Sequence, residues 1–177
     1  MAHTRLRPFN TKDTYPEQAL DNDLCQAVIT RNTIYLRGQV PQDLDTRENI
    51  GVGDPIAQAE KVMDNITLLL TEAGAKLTDI CKVTVYLTDI RHREATYRVL
   101  GRRMKGVFPV FTGLVVVALA RPEWLIEVDV IADRAWPPPY PAARSGGGVS
   151  SGAHRFEPTP HPRPPPGARG RHRPITA

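Results

Sequence analysis

A chain of 177 residues is long enough for one domain with a full core and rarely for two. The formal net charge of +4 averages two unlike parts: residues 136–177 hold six arginines and one acid, Glu157, a net of +5, while residues 1–135 carry 17 Lys+Arg against 18 Asp+Glu, a net of −1. The folded part therefore lacks the basic surface of a nucleic-acid binder, and nucleic acid is not an expected partner.

Residues 136–177 also hold 11 of the 17 prolines and six of the 13 glycines, too little apolar surface to offset the entropy of ordering. We expect a domain over residues 1–135 and a disordered Pro/Gly/Arg-rich tail over 136–177, inert unless its proline runs serve as ligands. Cys25 and Cys81 have no CxxC spacing and no histidine cluster beside them, which suits a reducing compartment. The five histidines show no metal-ligand spacing, so no metal is expected. The N-terminus has no apolar leader, and the longest apolar run, residues 114–120, is far short of a membrane span. A cytoplasmic location without a membrane partner is expected.

In chain order, residues 1–22 are polar and aperiodic, with Tyr15-Pro16 breaking any helix. Residues 24–30 and the run Ile34-Tyr35-Leu36-Arg37 read as a hairpin around Arg31-Asn32-Thr33. Residues 42–53 read as a surface loop. Asp54 is an N-cap, Pro55 fits the first helical position and Gly74 the left-handed stop. Between them Ile56, Ala59, Val62, Met63, Ile66, Leu69, Leu70 and Ala73 form a core-facing stripe, with Glu60, Lys61, Asp64 and Asn65 outside it.

Residues 80–88 alternate as a strand, with Cys81, Val83, Val85 and Leu87 toward the core. Residues 92–105 form a basic helix with Ala95, Val99 and Met104 on its apolar side. Strands over 111–120 and 125–132 follow, joined through Arg121-Pro122-Glu123. The order β-β-α-β-α-β-β is an α+β arrangement with two helices on one face of a single sheet. Leu114-Val115-Val116-Val117-Ala118-Leu119 is apolar at every position, so both faces of that strand seek cover, from another copy or from the N-terminal segment or the long loop.

Six pieces in order resemble the RidA/YjgF (reactive intermediate deaminase, Rid) family over residues 22–134. Arg37-Gly38-Gln39-Val40-Pro41 is similar to the family's "SGQIP" signature, and residues 59–74, with Asp64-Asn65 and Glu72-Ala73-Gly74, to its "LDNI…AG" helix. Residues 79–87 resemble its "DIVKTTVFL" strand. Phe108-Pro109, then residues 118–122, and Ile126-Glu127-Val128-Asp129-Val130-Ile131-Ala132 complete the series. The resemblance implies a chorismate-mutase-like (RidA-type) fold and a homotrimer with clefts between subunits. It also implies cofactor-independent hydrolysis of small-metabolite enamines and imines to a keto acid and ammonia.

The departures fall in that cleft. The family's carboxylate-anchoring arginine aligns with Phe111, its cleft tyrosine with Leu24 and the small residue before the Gly-Gln pair with Arg37. A phenyl ring cannot supply a bidentate guanidinium contact, which marks a subgroup lacking the catalytic arginine. Glu127 is the expected catalytic residue, positioning a water or moving a proton, against the plainer reading of a solvent-face strand residue. Arg37, Gly38, Gln39, Cys25, Phe111, Thr112 and Gly113 are the expected substrate-binding set, with Arg37 either a replacement cation or an ordinary strand-end arginine. Cys25 has no histidine at readable spacing and reads as a buried thiol rather than a nucleophile. Three functions remain open: an enamine/imine deaminase-type hydrolase of weak or altered activity, a non-catalytic trimeric small-ligand or partner-binding module, and RNA cleavage, to which a net-acidic core lends nothing.

Overall fold

The computed structural model describes residues 3–134, so the expected tail over 136–177 and its boundary lie outside the described residues. The elements are β1 (Thr4–Asn10), α1 (Thr11–Thr14), β2 (Asp23–Thr30), β3 (Thr33–Gln39), α2 (Pro55–Glu72), β4 (Ile80–Leu87), α3 (Arg93–Arg103), β5 (Val110–Val115) and β6 (Ile126–Asp133). They form one six-stranded sheet in the order β1-β2-β3-β6-β4-β5. Every pairing is antiparallel except β4 with β5, and α3 supplies the crossover a parallel pair requires. This is the expected α+β class with the chorismate-mutase-like, RidA-type arrangement.

The alternation of β6 shows how the sheet is used. Ile126, Val128, Val130 and Ala132 are buried, while Glu127, Asp129 and Ile131 are only half-covered on the other face. On β4, Val83, Val85 and Leu87 join the same core as Val62, Met63, Ile66, Leu69 and Leu70 of α2 and Val99 and Leu100 of α3. The helices thus cover one face and leave the other open. Asp54 caps α2 by accepting from the backbone N–H of Ile56 and Ala57, and Gly74 takes the left-handed conformation (φ 71°) that ends it. Among the described residues no helix is long and apolar enough to cross a membrane.

Several expectations need correction. Residues 4–10 form an edge strand that the polar sequence did not betray; cross-strand bonds to β2 stabilise it rather than an apolar period. The strand expected over 111–120 ends at Val115. Ile56 is 52% exposed, one turn too early to reach the core. Asn65 is buried, because its amide donates to the carbonyls of Val40 (3.2 Å) and Gln42 (2.8 Å) and holds the loop after β3. Cys81 is exposed: the pairing with β6 slips between Ile80 and Lys82, and the bulge turns Cys81 out of the core alternation.

Candidate active site on the open face

The residues of interest meet where β3, β6 and β4 lie side by side. Between Leu36, opposite Val130, and Gln39, opposite Val128, strand β3 carries one residue more than its partner, a bulge at Arg37-Gly38. Gln39 is buried and clips this bulge, its amide donating to the Arg37 carbonyl (2.7 Å) and to Gln26 Oε1 (3.2 Å). Gly38 is required for a steric reason: a Cβ there would lie 1.9 Å from Glu127 Oε1 and 2.8 Å from its carboxyl carbon. The glutamate occupies the space the missing side chain leaves.

Cross-strand register completes the cluster. Tyr86 of β4 stands opposite Glu127, and Thr84 opposite Asp129. The Tyr86 hydroxyl donates to Asp129 Oδ2 at 2.8 Å, and that bond raises the tyrosine pKa. Burial pushes the Glu127 carboxyl above the ordinary carboxylate range, and the neighbouring Asp129 charge adds to the rise, while Arg37 opposes it. Arg37, Gly38, Lys82, Thr84, Tyr86 and Asp129 border a cleft of about 360 Å³. A second cleft of about 670 Å³ lies on the β1–β2 side, and Arg37 is common to both. Its guanidinium carbon sits 5.5 Å from the centre of the Phe9 ring, a cation–π distance.

The structure thus brings together three of the expected residues, Glu127, Arg37 and Gly38, and puts Cys25 in the wall of the second cleft. Gln39 supports the bulge from beneath rather than lining the larger clefts. Phe111 and Gly113 stand opposite Val83 and Val85, which face the helices, so within one chain they lie on the far side of the sheet from Glu127. Phe111 packs edge-on against Tyr97 of α3 (5.3 Å, 78°), and a Cβ on Gly113 would collide with the Tyr97 hydroxyl. Thr112, opposite Thr84, shares the open face but is separated from β6 by β4. Tyr86, Asp129 and Phe9 were missed by sequence reasoning. Tyr86 and Asp129 sit at open-face positions of alternating strands, a signal that becomes specific only once the register is known.

A half-open α+β sheet with an acid–arginine cleft on its uncovered face defines the class, and comparison with known proteins gives the lineage. The family model described as Endoribonuclease L-PSP matches residues 17–134, and the chain belongs to this family, the RidA/YjgF/YER057c/UK114 proteins. A RutC family protein of Pyrococcus abyssi is 37% identical over 107 residues, covering 60% of this chain and 83% of the relative. The human 2-iminobutanoate/2-iminopropanoate deaminase is 29% identical over 107 residues, 60% of this chain and 77% of the relative. Among solved structures, RidA from an Antarctic Psychrobacter matches with a TM-score of 0.58 at 32% identity, covering 63% of this chain and 88% of that one.

Proposed function

We propose that this chain hydrolyses enamine or imine derivatives of small metabolites without a cofactor, in clefts completed between the subunits of a homotrimer. The observation that carries this reading is the position of Glu127, half-buried beside Asp129 in the space Gly38 leaves open. A carboxyl with a raised pKa keeps its proton to a higher pH than an exposed glutamate, as a general acid–base group must. Imine hydrolysis needs that service twice. Water oxygen adds to the imine carbon as a proton reaches nitrogen; the C–N bond of the resulting carbinolamine then breaks, releasing ammonia and a carbonyl product. Glu127 passes the proton between water and nitrogen. The activity named for the human relative is of this kind.

Assembly is supported by β5, exposed at all six positions, and by the apolar strip it forms with Phe108 and Val117. A second copy covering that strip would bring the exposed edge carrying Phe111, Thr112 and Gly113 to a subunit boundary. The alternative, a non-catalytic binding module, is favoured by Leu24 and Phe111 where the family has a tyrosine and an arginine. Ammonia and keto-acid release from freshly generated 2-imino acids decides between them: the hydrolase reading expects turnover that falls in Glu127→Gln. Turnover no faster than buffer for every imine offered supports the binding module.

A further inference from the structure

The cleft on the β1–β2 side holds about 670 Å³, within the range of sites for small ligands and more than a three-carbon imino acid fills. Its apolar walls come from Pro8 and Phe9 of β1 and Leu24 and Cys25 of β2. Its cations are Arg5 and Arg37; its carboxylate, Asp23, already accepts a hydrogen bond from the Asn10 amide at 2.9 Å. Arg37 forms no ion pair among the described residues. Stacking on Phe9 orients its guanidinium while leaving the N–H edge for a ligand. Arg37 also borders the Glu127 side, next to Gly38.

We infer that this site selects 2-imino acids with bulky apolar side chains, the carboxylate on Arg37 and the side chain among Phe9, Leu24 and Cys25. The inference rests on the hydrolase reading for its reaction and adds the substrate class. Arg37 borders both clefts and its neighbour Gly38 lies against the Glu127 carboxyl, so a carboxylate held by Arg37 would let the imine carbon face Glu127 while the side chain enters the larger cleft. The carboxylate anchor has in effect moved from β5, where Phe111 offers no charge, to β3. Leucine- or phenylalanine-like imines carry no leaving group on the β-carbon. The reaction that supplies them is therefore two-electron oxidation of an amino acid at its C–N bond, by an enzyme with its own electron acceptor.

The test uses the full chain and imines made in situ by an L-amino-acid oxidase from leucine and from alanine, with keto-acid release followed above the spontaneous rate. One lost or gained methylene is worth roughly 10- to 200-fold in a hydrophobic pocket. The wild type should prefer the leucine-derived imine in kcat/KM by at least about tenfold, and Leu24→Trp, at a part-exposed position, should shrink that ratio. Binding of 4-methyl-2-oxopentanoate to the Glu127→Gln protein, measured by calorimetry, gives a readout free of turnover. It should weaken about tenfold or more in Arg37→Gln and recover in part in Arg37→Lys, which restores charge without the fork. Equal or inverted preference, or binding indifferent to Arg37, overturns the inference. Glu127-dependent turnover without side-chain preference refutes this specificity alone and leaves the hydrolase standing. Arg37-dependent binding of the oxo acid, tighter than that of pyruvate and without turnover of any imine, upholds the selectivity of the cleft and refutes the hydrolase.

Discussion

Gly38→Ala separates the position of Glu127 from the stability of the fold. Gly38 is not among the glycines with positive φ, so the backbone accepts alanine, and the loss of unfolded-state freedom stabilises by about 0.4–1 kcal/mol. Against this, the new Cβ lies 1.9 Å from Glu127 Oε1 and 2.9 Å from Asp129 Oδ1, so both carboxyls must give way. They are the ends of flexible side chains, and pushing one off its rotamer costs about 0.5–1.5 kcal/mol. For two carboxyls that comes to about 1–3 kcal/mol, so after the gain from alanine urea denaturation should place the variant about 0–2.6 kcal/mol below the parent, still folded. Catalysis should not be spared, because a positioned acid–base group is worth roughly 10²- to 10⁴-fold. Imine hydrolysis followed by keto-acid release should fall by at least about tenfold in the folded variant, with much of the loss in kcat. A fully active Gly38→Ala protein, or one that loses its fold before its activity, would refute the steric argument.

Asn65→Ala should cost about 1–3 kcal/mol in urea denaturation, since it removes the amide donor to the Gln42 carbonyl, while the Val40 carbonyl keeps the Gln42 backbone N–H; an unchanged midpoint would contradict the assignment. A carboxyl whose folded pKa is raised contributes its stability below the unfolded value and loses it as pH rises through the folded one. For Glu127 that window begins at the ordinary value of 4.5 and extends upward. Arg37→Gln removes the charge that opposes this rise, so the Glu127 titration followed by carboxyl NMR should move to higher pH, and a downward movement would reject the pairing. Phe111→Arg should lose the edge-on pair with Tyr97, about 0.5–1.5 kcal/mol, yet raise turnover of the alanine-derived imine; no gain would show that position 111 does not reach the cleft. Light scattering should find three times the chain mass, and Leu114→Lys, at a part-exposed position of β5, should yield monomers; a monomeric wild type contradicts the assembly.

The amino-acid sequence by itself determined whatever rests on local chemistry. Asp54, Pro55, Gly74 and the stripe from Ala59 to Leu70 specify α2 through capping and a 3.6-residue period, and structure and sequence agree on its ends. The strands β4 and β6 declare themselves by alternation, and Glu127 stands out as a charge within an apolar strand. What only the tertiary structure decided is register. The edge strand β1 has no apolar period of its own and exists because β2 offers it hydrogen-bond partners. The bulge at Cys81 turns an expected core residue outward, and a packing demand from the β3 loop buries Asn65. The site follows the same rule. Gly38 and Glu127 are 89 positions apart, and nothing in either segment states that one leaves room for the other. Likewise Phe111 is expected in the cleft from its place after Phe108-Pro109, yet its strand register turns it toward Tyr97 and the helices. Side-chain direction alternates every residue in a strand, so a sequence can name the residues of a sheet site while pairing alone decides which of them share a face.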